Sequence, residues 1–318
     1  MKRFYTWSWA VLCGAMVSCQ HQSGDSGQHV PTDSLSSGRI NISVDESFRP
    51  VMEEELKVFR ASNPRADIRA TYKPEAECLK DLQQDSVRLV FVTRGLTEEE
   101  DAYYKAKLRF EPVYEELAYD AVAVIVNQSS PDSVFTPGEI AGILRGKGRD
   151  GNAPAYTPVF DGLNATSTIR FAMDSILSGG AFDPSHVFAA PNSTGVIEYV
   201  GSHPGAMGFV GVNWIGNPED TLQSRYRERV RIMAIQCTKC PGKPYIIPTQ
   251  EQILTKTYPF TRGLYYIKKE NYDGLGTGLV DFLKYQRGQL IFRRAYLVPA
   301  IMAFIVRDAK LERSNIPK

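Results

Sequence analysis

The sequence predicts an α/β protein built on largely parallel sheets, and two observations carry that prediction. From Arg39 onward, short β-branched runs alternate with amphipathic segments. The run Asp120 to Asn127 is apolar without alternation, the mark of a strand covered on both faces and central in its sheet. With 318 residues, 43% of them hydrophobic, the chain has material for two domains of ordinary size. Its 37 basic and 36 acidic side chains leave a net charge of +1, so no overall field favours nucleic acid, a membrane surface or polyanions. Any recognition of charge must be local.

Taken in order, Met1-Lys2-Arg3 and the apolar stretch Phe4 to Val17 read as a secretory signal over residues 1–18, too short for a membrane span. Met16-Val17-Ser18-Cys19 resembles the lipobox of bacterial lipoproteins, which implies that Cys19 becomes a lipidated N-terminus. Residues 19–38 are polar and rich in Gly and Ser, a flexible tether, and the folded part is expected from about Arg39. Ile40–Val44 is a strand. A helix follows with Pro50 in its first turn, Glu53-Glu54-Glu55 at its positive end and Met52, Leu56 and Phe59 at helical spacing, until Asn63-Pro64 stops it.

Val87–Val92 reads as the second strand and leads through Thr93-Arg94 to a helix with a Thr97/Glu100 capping box. After the central run, Thr136 to Leu144 is a short helix ending at Arg145-Gly146-Lys147; the spacing of its glycines does not make a phosphate loop. Ile169, Ala172, Met173, Ile176 and Leu177 form one apolar helical face up to Gly179-Gly180. A strand near Val187–Ala190, a short helix introduced by Asn192, a strand Ala206–Val212 and an extended segment Tyr258–Ile267 come next. Helices around Leu279–Tyr285 and Leu290–Ala295 close the chain, and no internal repeat is visible.

Cys237 and Cys240 are followed by Pro241 and Pro244, which favours a loop disulfide or two free thiols over a redox motif. His186 and His203 lack ligand-like spacing, so no metal or other cofactor is expected. No Gly-x-Ser-x-Gly elbow occurs, and the pair Asp45 and Glu46 reads as a polar turn rather than an acid–base couple. The chain is not expected to be an enzyme.

The feature that points to a ligand is Thr166-Ser167-Thr168. Thr166 or Ser167 caps the following helix, whose start is a ready anion site. Arg170 in that first turn opposes the helix dipole unless an anion lies nearby. Two other strand-to-helix turns repeat the pairing of a hydroxyl with an arginine: Ser47 with Arg49, and Thr93 with Arg94. In open α/β sheets such turns gather at the C-terminal ends of strands, where ligands bind.

The ordered set Val44 to Pro50, Asp85 to Arg94, Thr166-Ser167-Thr168, Gly205 to Val210, Tyr258 to Arg262 and Gly288 to Pro299 resembles the PstS-like phosphate-binding lipoproteins of ABC transporters, most of all the branch found in Bacteroidetes. The resemblance spans about residues 39–300. It implies a type II periplasmic binding fold: lobe 1 from residues 39–118 plus 262–318, lobe 2 from 119–261, with crossings near Ala118–Asp120 and Tyr258–Thr261 and the anion between the lobes. It implies phosphate ligands at Ser47 and the Phe48 amide, at Thr93 and Arg94, and at Thr166, Ser167 and Thr168. Better-known members carry an arginine where this chain has Val159-Phe160, and a glycine in place of Ser167. Neutralising charge must then come from Arg94, Arg49, Arg170 or Arg262, with Arg94 ranked first. Asp45 or Asp161 would accept the proton that phosphate carries and sulfate lacks. The expected protein is a monomeric, lipid-anchored binder facing the periplasm, which takes inorganic phosphate or a similar oxyanion to an ABC permease. An envelope sensor or scaffold lipoprotein of the same fold is the alternative.

Overall fold

The computed structural model describes residues 32–108, 110–148, 156–162 and 166–301. The signal sequence, Cys19, most of the tether and Leu163-Asn164-Ala165 of the loop before Thr166 lie outside the described residues, as do residues 302–318.

The chain begins with β1 (Ser37–Asp45), α1 (Arg49–Ser62), β2 (Arg65–Lys73), α2 (Glu75–Asp81), β3 (Val87–Val92) and α3 (Glu98–Leu108). Then come β4 (Val113–Asn127), β5 (Val134–Phe135), α4 (Pro137–Leu144), β6 (Thr157–Phe160), α5 (Ser167–Phe171), β7 (Phe188–Ala189), α6 (Ser193–Ser202) and β8 (Ala206–Gly211). It finishes with α7 (Thr221–Arg229), β9 (Val230–Ile232), β10 (Ala234–Gln236), β11 (Tyr245–Ile246), α8 (Gln250–Leu254), β12 (Thr261–Lys268), α9 (Leu275–Lys284), α10 (Gln286–Arg294) and β13 (Val298–Pro299).

The α/β class stands, but the sheet is more mixed than expected. Its order is β2-β1-β3-β12-β4-β8-β6-β7, with β9 and β13 also against β4. The two ends are parallel: β1 with β2 and β3, and β6 with β7 and β8. The middle is antiparallel, since β4 opposes β12, β8, β9 and β13, and β12 opposes β3. An unbroken apolar run reports burial on both faces, not strand direction, and so the parallel reading did not extend to β4.

β4 is the rail shared by both ends. Residues from Val113 to Ala121 pair with β12, and residues from Val122 to Val126 pair with β8. The chain therefore carries its longest strand from one parallel end to the other, and Asp120 falls at the handover. Large side chains seal the sheet on the β1 side, where Phe48, Met52, Leu56 and Phe59 are buried against it; each fully buried side chain of this size stabilises by about 1.5–3 kcal/mol.

β2 and α2 escaped sequence reading because β2 lies at the sheet edge, mostly half-buried and rich in Arg, Asp and Lys, while α2 is seven residues long. Val87–Val92 is accordingly the third strand. The helix after Thr166 also differs: α5 gives way to a π-helical turn over Ala172–Ile176 and ends at Ser178 and Gly179, with φ of 54° and 83°. The Thr97/Glu100 capping box forms, with reciprocal bonds of 2.9 and 3.2 Å. Cys237 and Cys240 form a disulfide, which settles the choice left open between bridge and thiols, while Cys78 is free and buried.

Candidate functional site

Sheet register sets the centre of the site. Arg262 in β12 stands directly opposite Asp120 in β4, and cross-strand neighbours of opposite charge can meet without leaving the sheet. Arg262 Nε donates to Asp120 Oδ2 at 2.8 Å, and the Asp120 Oδ1 accepts the Val212 amide at 3.2 Å. The guanidinium carbon also lies 5.3 Å from the centre of the Phe48 ring. The two remaining nitrogens fork to hydroxyls from two separate turns: one donates to Ser167 Oγ at 3.0 Å, the other to Ser47 Oγ at 3.1 Å. A planar guanidinium suits this, because its donors spread in a fixed fork that a lysine lacks.

Ser47 is held there by its turn. Asp45 ends β1 and accepts both the Ser47 amide, at 2.9 Å, and the Ser47 hydroxyl, at 2.7 Å. The Ser47 carbonyl accepts from Asn213 Nδ2 and Trp214 Nε1, each at 2.9 Å, after the chain leaves β8. These bonds bring the Ser47 hydroxyl within 3.2 Å of the Ser167 hydroxyl, 120 residues away. The second oxygen of Asp45 is buried and has no partner among the described residues. Burial, reinforced by the negative charge of Glu75, pushes the Asp45 carboxyl up to about 7, against the pull of Arg262 and Ser47.

On the other wall, Thr166 caps α5 by accepting the Ile169 amide at 3.3 Å. Thr168 donates to Asp161, and the Thr166 and Thr168 hydroxyls are 3.1 Å apart. Burial raises the Asp161 carboxyl above its ordinary range, while the bonds from Thr168 and Thr166 and the charge of Arg262 oppose it. Gly162, at φ 140°, turns the chain out of β6 in a conformation that favours glycine. A cavity of about 170 Å³ opens beside these groups, with Asp45, Arg49, Tyr72, Lys73, Asp161 and Thr166 among its walls.

Asp45, Ser47, Phe48, Asp161, Thr166, Ser167, Thr168 and Arg262 are thus brought to one place. Thr93, Arg94 and Arg170 are not at its centre. The Thr93 amide donates to Glu75 at 2.7 Å, and its hydroxyl bonds Glu75 and Arg170. Arg94 is occupied by Glu100, with bonds of 2.6 and 2.8 Å, and by the Gly95 carbonyl at 2.8 Å. Arg170 pairs with Glu75 at 2.6 Å and with Asp174 at 3.3 Å, so the charge that opposes the helix dipole is answered by carboxylates rather than by an anion. Arg49 lies over the Tyr72 ring at 4.7 Å, on the cavity wall. Arg262 therefore takes the central place for which Arg94 was ranked first.

A model of the PBP superfamily domain matches residues 29–286, most of the chain. The chain belongs to the PBP superfamily. No curated protein matches this superfamily member in sequence. Its fold is similar to that of a putative phosphate ABC transporter substrate-binding protein with bound phosphate from Clostridium perfringens, at 20% identity and TM-score 0.66, over 83% of this chain and 100% of that one. It is also similar to an ABC-type phosphate transport receptor from Vibrio cholerae, at 17% identity and TM-score 0.61, over 82% and 100% of the two chains. A phosphate binding protein from Stenotrophomonas maltophilia shares 13% identity with TM-score 0.57, over 83% of this chain and 91% of that chain. These likenesses agree with the expected periplasmic binding architecture, and the three proteins are named for phosphate binding or transport.

In this superfamily member, several residues around the site had not been singled out: Asp120, Glu75, Lys73, Asn213 and Trp214. Asp120 was visible as the charge that opens the apolar run inside β4, and a carboxylate in that position needs a buried partner. Glu75 follows Pro74 at a strand-to-helix turn, the same setting as the other site residues, but the turn belongs to the unread β2. Nothing in the sequence marks Asn213 and Trp214, which act through the carbonyl of Ser47. Among the described residues no cluster of His, Cys, Asp and Glu is placed to hold a metal ion.

Proposed function

We propose that this protein captures inorganic phosphate, as a tetrahedral oxyanion, in the cleft between Ser47 and Ser167 and hands it to an ABC permease. The observation that carries the reading is Arg262, whose buried guanidinium meets one hydroxyl from each wall. An anion entering between the walls would take the Ser47 and Ser167 hydroxyls, the Phe48 amide and the amides that open α5, with Thr166 and Thr168 beside them. Arg262 would supply the charge-assisted bond. The Asp120 carboxylate keeps the guanidinium in plane and compensates its charge while the cleft is unliganded.

Asp45 supports a choice of phosphate over sulfate. Its unpartnered oxygen can accept a hydrogen bond from the O–H that phosphate carries and sulfate lacks. The solved structures similar in fold are named for phosphate, one of them with phosphate bound, and this accords with the same reading. Residues 39–118 with 262–318 would act as one lobe and 119–261 as the other, closing about β4 and β12, with binding favouring the closed form in proportion to the ligand's preference for it. Cys19 would anchor the monomer by lipid to the cell envelope, facing the periplasm. No helix among the described residues is long and apolar enough to cross a membrane.

Calorimetric titration of anion-stripped protein with phosphate and with sulfate tests the reading. A saturable heat with phosphate and a much weaker one with sulfate is expected; no heat with either removes it.

A further inference from the structure

Arg170 touches the opposite wall of the cleft, and the contact is built from three turns. Glu75 opens α2 after β2, Thr93 follows β3, and Arg170 lies on α5 after β6. Arg170 Nε donates to Glu75 Oε2 at 2.6 Å, and a terminal nitrogen donates to Glu75 Oε1 at 3.3 Å. The same nitrogen donates to the Thr93 hydroxyl, which in turn donates to Glu75. The Glu75 side chain is only 3% exposed. Burial by itself would raise its carboxyl, but the bond and charge of Arg170 and the donors of Thr93 outweigh it and hold Glu75 below its ordinary range. A carboxylate kept charged in a buried place by a residue from the facing wall makes that facing contact expensive to break.

We infer that Glu75, Thr93 and Arg170 form a latch that holds the cleft shut, so that Arg170 governs how long the anion stays instead of binding it. The inference rests on the proposed anion site and deepens it by assigning release to residues outside the ligand's reach. The latch has a definite logic: Glu75 and Thr93 come from the end of the sheet that bears Ser47, while Arg170 comes from the end that bears Ser167. Opening the cleft separates them and leaves Glu75 without its counter-charge. Arg170 is therefore a positioning residue, three positions beyond Ser167 on the same helix.

Two measurements test this on the full chain. Spin labels at Lys80→Cys and Ser175→Cys, exposed positions on facing elements, report the width of the cleft in protein stripped of anion; Cys78 is buried, Cys237 and Cys240 are bridged, and Cys13 and Cys19 are replaced by serine so that they take no label. Stopped-flow displacement of phosphate reports its release. Glu75→Gln and Arg170→Gln are each expected to widen the label distance and to speed release by about tenfold, with association little changed. Arg170→Lys should recover part of the slow release, and the double substitution should do no more than either single one. The latch is overturned if the label distance stays at the wild-type value in both variants, or if Arg170→Gln weakens binding while Glu75→Gln does not. A wild-type protein that takes no phosphate would remove the proposed function, and the label distances would still decide the latch.

Discussion

Arg262 and Asp120 face each other across neighbouring strands, Nε to Oδ2 at 2.8 Å, with side chains 3% and 0% exposed. A buried pair of this kind is costly to break from one side, since the survivor keeps its charge without water or partner. Burial pushes the Asp120 carboxyl upward, and Arg262 opposes that shift. Arg262→Ala should therefore abolish phosphate binding and also destabilise the fold by about 3–5 kcal/mol. Arg262→Lys separates the two roles: the charge stays, but one ammonium cannot serve Ser47 and Ser167 together. Calorimetry and thermal melts should show affinity down by about tenfold or more with a much smaller loss of melting temperature.

Ser167→Ala and Arg94→Ala should behave differently. Ser167 meets Arg262 and faces Ser47, so its loss should weaken phosphate binding by about 1 kcal/mol. Arg94 is satisfied by Glu100 on its own side of the cleft, a pair about a quarter to a third exposed, and its removal should change affinity by about twofold or less. Titration of both variants in one buffer decides the matter; a larger loss from Arg94→Ala would place the anion at the β3 turn.

Asp45 should make anion choice depend on pH. Its carboxyl is pushed up to about 7, so it is ionised above that value and protonated below it. Ionised, it accepts a hydrogen bond from a phosphate O–H and repels sulfate; protonated, it can donate a hydrogen bond to sulfate. Sulfate should therefore compete with phosphate more strongly at pH 5.5 than at pH 8. Asp45→Asn, which can donate at every pH, should reduce the pH dependence of sulfate competition to that set by the ionisation of phosphate itself, and weaken phosphate at pH 8. Competition titrations at the two pH values read this directly.

Glu55 gives a prediction about stability. It is buried in α1, neither carboxyl oxygen has a partner among the described residues, and burial raises its carboxyl to about 9. The folded form thus holds a proton that the unfolded form releases above about 4.5. Stability from this residue is lost as pH rises between those values. Glu55→Met should stabilise the protein by about 1–3 kcal/mol at pH 7 and flatten its pH dependence up to pH 9. Urea unfolding at pH 5, 7 and 9 measures both effects, and a destabilised variant would mean that the carboxyl has a partner.

The sequence made some parts of this molecule legible and hid others for physical reasons. Local signals worked where one residue decides the geometry: Thr166 as a cap, Asn63-Pro64 as a stop, the Thr97/Glu100 box. The gathering of Ser47, Thr166, Ser167 and Thr168 followed from their shared position after parallel strands. Which arginine stands between them did not, because Arg262 reaches the site through the register of β12 on β4, a pairing of residues 142 apart. Arg94, ranked first, and Arg170 both looked suitable until their partners, Glu100 and Glu75, were in view. A charged side chain near a loop reveals its chemistry, while the charge that answers it belongs to tertiary structure.

The most direct test is a crystal structure of the protein grown with phosphate. Density for one tetrahedral anion is expected between Ser47 and Ser167, within hydrogen-bonding distance of Arg262, with an oxygen against the free side of Asp45. Phosphate bound instead by Thr93 and Arg94, or a cleft that holds none at saturating concentration, would contradict the central role given to Arg262.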